Sequence, residues 1–177
     1  MTEPRAPERV TTDRLELRKF TLADHAEYAR ITADPEVTRF LGMGQPWTPD
    51  IAWRGMAGAL GHWELLGYGL WAVTLRDSGR LVGHCGYIDA FGWPSFELAW
   101  MLGREHWGQG YAREAAGAAL RIAQDVLRKE RIISLIRPQN APSIKLARAL
   151  GAQLEGTADL MGSPAHVYVH QPVSSRA

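Results

Sequence analysis

The sequence predicts a single α/β (α+β) domain in which a mixed sheet carries helices on both faces. Three observations lead there. The length of 177 residues suits one hydrophobic core, since such cores typically span about 100 to 200 residues. A hydrophobic content of 46% beside 22% charged residues is that of a folded chain and excludes a wholly disordered or collagen-like one. Along the chain the apolar period switches between about 2 and about 3.6 residues. The resulting order β, α, α, β, β, β, α, β, α, β, β mixes one strand-helix-strand crossover with hairpins.

Residues 1–11 hold Pro4, Pro7 and several charges ahead of any periodicity and read as a flexible leader. The domain is expected over 12–170, with a C-terminal tail at 171–177. Residues 13–20 alternate around Leu15 and Leu17 as a first strand. Thr21, with Asp24 three residues on, caps a helix that carries Tyr28, Ala29 and Ile31 on one face, and Pro35 marks its end. The Gly- and Pro-rich loop 34–50 holds Trp47, which serves either function or the cover of the core. A second helix follows over 50–66. The runs 70–75 and 81–88, joined by Asp77-Ser78-Gly79, form a hairpin, and 96–102 is a mostly apolar, buried strand. Residues 112–127 form the clearest helix, with Ala112, Ala115, Ala116, Ala119 and Ala123 making one face small enough to lie close on a sheet. A strand at 131–136, a short helix at 142–150 stopped by Gly151, and strands near 153–158 and 165–170 complete the domain.

Twenty Lys and Arg against nineteen Asp and Glu leave a net charge of +1. No overall field draws a nucleic acid or an anionic membrane, and neither is expected as a partner. One cysteine, Cys85, allows no internal disulfide and no multi-cysteine zinc site. With a polar stretch at 1–11 unlike an export signal, this points to a reducing, cytoplasmic setting. No stretch approaches the roughly 18 uninterrupted apolar residues of a membrane span.

The most informative segment is Trp107-Gly108-Gln109-Gly110-Tyr111-Ala112, which follows a buried strand and opens the long helix. A helix N-terminus presents unpaired N–H groups and the positive end of the dipole, and glycine lets an anion come close to the backbone. The segment reads as a phosphate cradle or, more simply, as a tight turn. A dinucleotide fingerprint beginning at Gly108 needs a small residue where Arg113 stands, and the chain has no Gly-Lys-Ser/Thr for a triphosphate loop. Thirty residues after Gly110 comes Asn140-Ala141-Pro142-Ser143, ahead of a helix that ends in Leu150-Gly151.

In order along the chain, the carriers of a resemblance are Thr12-Asp13-Arg14-Leu15-Glu16-Leu17-Arg18, Gly83 and Gly86, Phe96-Glu97-Leu98-Ala99-Trp100, residues 107–115, and Asn140 to Ser143 with Leu150-Gly151. Together they resemble the GNAT acyl-CoA-dependent N-acyltransferases, most closely the RimJ/RimL-like branch that acetylates protein N-termini. The resemblance covers about residues 12–170 and implies a GNAT-like, mostly antiparallel mixed sheet. It also implies acetyl-CoA as co-substrate and direct acetyl transfer to a primary amine, either a protein N-terminus or a small molecule. By this resemblance the segment Trp107, Gly108, Gln109, Gly110, Tyr111, Ala112 and Arg113 holds the pyrophosphate on backbone amides. The pantetheine arm pairs with the strand Trp100, Met101, Leu102, and the thioester lies beside Leu102. Asn140 contacts the cofactor, and Ser143 donates a proton to the leaving thiolate. Trp107 stands where the wider superfamily usually has Gln or Arg, as is common in the RimJ/RimL-like branch. Ala147 stands where many members carry a tyrosine acid, which shifts that role to Ser143 or water. The alternative is a non-catalytic acyl-CoA-binding module of the same fold; a monomer or a homodimer is expected.

An amine attacks a thioester only when neutral, so a carboxylate that takes its proton is needed, directly or through water. Glu97 is the candidate base, Asp89 a weaker one, and either reading competes with that of a paired strand carboxylate. Glu114 in the first helical turn favours the dipole. His84 and Cys85, adjacent on a strand, point to opposite faces and form no nucleophile pair. His166 and His170, four residues apart on a strand, stand about 13 Å apart and cannot grip one metal unaided, so no metal is expected. His106 reads as a loop histidine or a phosphate contact. Trp47, Trp53 and Trp63 read as core or as the lining of an acceptor groove.

Overall fold

The protein's structure, a computed structural model, describes residues 4–171. Among the described residues the chain forms strands β1 (Arg9–Thr11) and β2 (Leu15–Arg18), then helices α1 (His25–Thr32), α2 (Pro35–Thr38) and α3 (Pro49–Leu66). Strands β3 (Leu70–Leu75), β4 (Leu81–Ile88) and β5 (Glu97–Leu102) lead to helix α4 (Tyr111–Asp125) and strand β6 (Ile132–Ile136). Helix α5 (Ala141–Ala149) and strands β7 (Ala152–Leu160) and β8 (Ser163–His170) close the domain. The central hairpin and the long helix stand where their apolar periods place them.

The first helix ends at Thr32, before Pro35 as expected, and Pro35 in addition opens α2: Asp34 Oδ1 accepts from the Glu36 N–H at 2.9 Å, and proline, lacking an N–H, suits the first helical position. One local expectation is corrected. The leader expected over 1–11 is docked along its described part. Ala6 is buried and donates its N–H to Gly67 O at 2.9 Å. Pro7 O accepts from Trp71 Nε1 at 3.1 Å, and Arg9 to Thr11 pair with β2. Residues 1–3 and, of the expected tail at 171–177, all but Gln171 lie outside the described residues.

The sheet runs β1-β2-β3-β4-β5-β6-β8-β7, and every neighbouring pair is antiparallel except β5–β6. On one face α4 lays Ala115, Ala116, Ala119 and Ala123, all fully buried, against Cys85, Tyr87, Leu98 and Leu102. α5 packs beside it over Ile136 and Tyr168. On the other face α1 and α3 bring Tyr28, Ile31, Ala52 and Met56 onto Ala72, Leu81 and Met101. An alanine face brings helix and sheet together closely, and a larger side chain there overpacks at a cost of about 1–3 kcal/mol. Gly83 meets a similar demand, since a Cβ at that position would stand 2.0 Å from Met101 O on the adjoining strand.

Alternation along β5 assigns its two faces. Leu98, Trp100 and Leu102 belong to the α4 and α5 side, whereas Met101 belongs to the α1 and α3 side, which Glu97 and Ala99 share by period 2. By the same period Leu135 lies opposite to Ile136.

Candidate active site

β5 and β6 share a single registered pair, Glu97↔Ile133, with the Ile133 N–H donating to Phe96 O at 3.0 Å. Past that rung β5 remains fully paired with β4, from Ile88↔Glu97 to Gly83↔Leu102, while its other edge has no strand beside it. Two side chains bridge the mouth of this split. Glu97 Oε1 accepts from the Leu135 N–H at 3.1 Å, and Ser134 Oγ donates to Leu98 O at 2.6 Å. The open edge of residues 98–102 is a ready template for an extended, amide-bearing arm.

At the far end of that edge the chain turns through Gly108 and Gly110, with φ of +73° and +81°, and Gly110 caps α4. No carbonyl or side chain of the described residues accepts from the N–H groups of Tyr111, Ala112 and Arg113 in the first helical turn. A Cβ at Gly108 would meet nothing within 4 Å, so the approach to these amides is open. Such a turn fits a pyrophosphate. Trp107 ties the turn to β5 by donating Nε1–H to Leu102 O at 2.8 Å, and Gln109 donates to Glu105 O at 2.9 Å. Arg14 braces it from outside: Nη1 donates to Gln109 O at 2.9 Å, Nε to Glu114 Oε2 at 2.7 Å, and the guanidinium lies 4.6 Å from the centre of the Tyr111 ring. Glu114 thus has a structural partner and, with Arg14, Arg113 and Arg121, lines a groove of about 740 Å³ between the β1–β2 turn and α4.

Glu97, 6% exposed, takes hydrogen bonds from Leu135 N and from Trp93 Nε1 at 2.7 Å. Burial pushes its carboxyl up to about 7, against the pull of those two donors. A carboxyl that titrates near neutrality at the mouth of a cleft has the property a general base needs. On the opposite side of β5, Trp100 donates Nε1–H to Ser143 Oγ at 3.3 Å, which leaves the serine's own proton free to give. Asn140 caps α5, its Oδ1 accepting from the Ser143 N–H at 3.3 Å. Ala147, on the buried face of α5, offers no hydroxyl.

Two expectations from the sequence do not fit each other. A thioester beside Leu102 would stand five residues from Glu97, about 17 Å along the strand, beyond a proton transfer through one water. Ser143 stands at Trp100, nearer the middle of the edge.

The remaining candidates take structural places. Cys85 is buried on the α4 side with its thiol pushed up to about 12 by burial, whereas His84 faces α1 and bonds Tyr28 Oη through Nδ1 at 2.9 Å. Burial holds the His84 imidazole down to about 4. His170 meets Ser134 Oγ through Nε2 at 2.9 Å and is likewise held near 4 by burial. Because Ser134 gives its proton to Leu98 O, it accepts from His170, and the pair lacks the polarity of an activated nucleophile. Asp89 accepts from Tyr68 Oη at 2.6 Å and meets Lys129 at 3.6 Å. His106 is buried near Tyr111, and burial lowers its pKa. Trp63 is core, Trp47 packs on Tyr28, and Trp53 is half exposed. Among the described residues no group of three or more His, Cys, Asp or Glu is arranged to hold a metal ion, and no helix is long and apolar enough to cross a membrane. Sequence reasoning missed Trp93, which a Pro-containing turn four residues before Glu97 brings back onto it. It also missed the contacts of Arg14 and Arg137, whose partners are remote in sequence.

The model of the acetyltransferase (GNAT) domain family matches residues 14–153. Over 152 residues, 84% of each chain, the sequence is 33% identical to p20 of Bacillus licheniformis, an uncharacterized N-acetyltransferase. An acetyltransferase from Agrobacterium tumefaciens superposes with a TM-score of 0.84 at 30% identity, over 94% of this chain and 95% of that one. RimL, a ribosomal L7/L12 α-N-protein acetyltransferase solved with coenzyme A, superposes with a TM-score of 0.76 at 16% identity, over 92% and 97%. At that identity the likeness is one of fold.

Proposed function

Because the chain belongs to the acetyltransferase (GNAT) family, we propose that it moves an acetyl group from acetyl-CoA directly to a primary amine, of a peptide N-terminus or of a small molecule. The observation that carries this reading is the placement of Glu97 and Ser143 on opposite faces of one open strand edge that ends at the cradle. The cradle amides take the pyrophosphate, with Arg113 and Arg121 beside it, and the pantetheine arm extends β5 as an added strand. The acyl carbon then lies alongside Ala99 and Trp100, not Leu102, because only there do both side chains come within reach.

The amine arrives from the α1 and α3 side, where Glu97 takes its proton through a water. The nitrogen lone pair forms the C–N bond, the tetrahedral centre collapses, and the C–S bond breaks. The thiolate departs toward the α5 side, where the Ser143 hydroxyl protonates it and regains its proton from solvent water, while the new amide nitrogen gives its remaining extra proton to water. Attack and departure on opposite faces keep the entering ammonium proton apart from the leaving sulfur. Direct transfer also agrees with Cys85, a buried thiol pushed up to about 12 and so not a nucleophile at neutral pH.

The test is a screen with acetyl-CoA, N-terminal peptides and pooled small amines, read by release of free CoA. Turnover with at least one amine is expected. Tight acetyl-CoA binding with no CoA release from any acceptor would replace this reading by that of a binding module.

A further inference from the structure

A second groove, of about 450 Å³, opens between the loop that follows α2, the end of β6 and the β7–β8 turn. Its walls include Phe40, Met43 and Met161, and its charged lining residues are Arg39 and Arg137 alone. Met43 and Met161 are 78% and 56% exposed, so these apolar walls stand free of the core. No carboxylate answers Arg137. Its Nη1 donates to Ser163 O at 2.8 Å and Pro164 O at 3.4 Å, and its Nη2 to Leu160 O at 3.0 Å and Gly42 O at 3.1 Å. Arg39 meets Glu36 at 3.9 Å, too far for a hydrogen bond, and lies 5.2 Å from the centre of the Phe40 ring. The carboxylates of α2 and β7 are Glu36, Glu155 and Asp159; none lines the groove, Glu155 pairs with Arg131, and Asp159 accepts from Gly162 N within the β7–β8 turn.

The groove is placed to hold what is attached to the amine. Leu135 of β6, whose N–H bonds Glu97, and Arg137, which directly follows β6, are two residues apart, about 7 Å in extended chain. We infer that an amine positioned at Glu97 sends the rest of its molecule past Arg137 toward Arg39, and that the acceptor carries a carboxylate about two residues' length from its amine, as in a peptide with Asp or Glu at its second or third position. This rests on the acetyl-transfer reading and names the substrate class for that site. Both guanidinium groups attract such an anion, and the apolar walls reduce the screening of that attraction. A polyamine or a lysine-rich N-terminus meets two cations in a groove that no carboxylate lines.

The test compares kcat/KM for Ala-Asp-Glu-Ala-amide, Ala-Gln-Gln-Ala-amide and Ala-Lys-Lys-Ala-amide, with 5-aminovalerate as a carboxylate-bearing amine that lacks a peptide backbone. The acidic peptide is expected to exceed the basic one by roughly tenfold or more, the scale of a charge-assisted contact. That ratio should shrink between 50 mM and 500 mM salt, an increase that shortens the reach of exposed charges. Arg39→Glu, a change at an exposed side chain, should abolish or invert the ratio while acetyl-CoA affinity stays the same. Greater activity with 5-aminovalerate than with the acidic peptide would keep the anionic acceptor and assign it to small molecules. Equal kcat/KM for the three peptides and 5-aminovalerate, or preference for the basic peptide, overturns the inference and leaves acetyl transfer standing. Absence of CoA release with every amine of the wider screen would instead remove the acetyl-transfer reading itself.

Discussion

Arg14 and Glu114, a hundred residues apart in the chain, hold each other at two points: the Arg14 guanidinium donates to Glu114 Oε2 at 2.7 Å and the Arg14 backbone N–H to Oε1 at 2.8 Å. Thr12 Oγ1 adds a third bond to the same carboxylate at 2.6 Å. The first turn of α4 is thereby fastened to the β1–β2 turn, and Gln109 with it. Arg14→Ala is expected to weaken acetyl-CoA binding by about tenfold in calorimetry, since the cradle loses its outer brace. The pair is partly exposed, so the loss of stability should stay near 1 kcal/mol.

Gly110 tests the cradle from the inside. Gly110→Glu places a bulky anion where the pyrophosphate would lie and forces a side chain into a left-handed conformation, so acetyl-CoA binding should vanish while the far-ultraviolet spectrum persists. Gly110→Asn, which tolerates that conformation and adds no charge, should retain measurable affinity. Equal affinity of wild type and Gly110→Glu would remove the phosphate assignment.

Glu97 must be ionised to accept a proton, so kcat/KM should rise with pH through about 7. Glu97→Gln should lower the rate by roughly 10² to 10⁴ at neutral pH, with acetyl-CoA affinity nearly unchanged. That loss should shrink as pH approaches the acceptor's own pKa, because the amine then arrives already neutral. Ser143→Ala should lose activity at every pH, since the thiolate needs a proton however the amine lost its own. A Glu97→Gln enzyme as active as wild type throughout would pass the role of base to water or another carboxylate.

His84 and His170 give the fold a dependence on acid. Each is neutral in the folded state down to about 4, against an ordinary value of 6.5. Below 6.5 the unfolded chain takes up protons that the folded chain refuses, so this contribution is whole above 6.5 and declines as pH falls toward 4. Glu97 acts with the opposite sign: its folded value of about 7 exceeds its ordinary 4.5, and its contribution falls as pH rises between them. His84→Gln, which keeps a partner for Tyr28 Oη, should flatten the fall in thermal midpoint between pH 6.5 and 4. An unchanged slope would remove His84 from the account.

What the sequence disclosed divides by the range of the forces involved. The ends of β3 and β4 follow from alternation interrupted by Asp77-Ser78-Gly79, a local signal, and the observed boundaries match it. The glycine turn ahead of α4 was legible for the same reason. β1 was not: three residues with Val10 as the single apolar one become a strand only by pairing with β2, Val10 opposite Leu17. The contacts of Arg14 and Arg137 were equally silent, since their partners Gln109 and Gly42 lie 95 residues away. Alternation left open which face of β5 is the cleft, because the helices that cover each face come from remote segments.

The single rung between β5 and β6 also divides the molecule as a material. Strands β1 to β5 pair each with its neighbour in sequence, and β6 to β8 form a separate antiparallel group. The two blocks meet at the one registered pair Glu97↔Ile133, through the Glu97 and Ser134 side chains, and by the packing of α4 and α5. Such a seam is where cooperative units of folding part company. Amides on the inner strands β3 and β4 are bonded on both sides, whereas those facing the seam exchange with solvent more readily. On the proposed acetyl-transfer reading, a co-substrate arm laid into the seam would add the missing rungs and join the two blocks into one cooperative sheet.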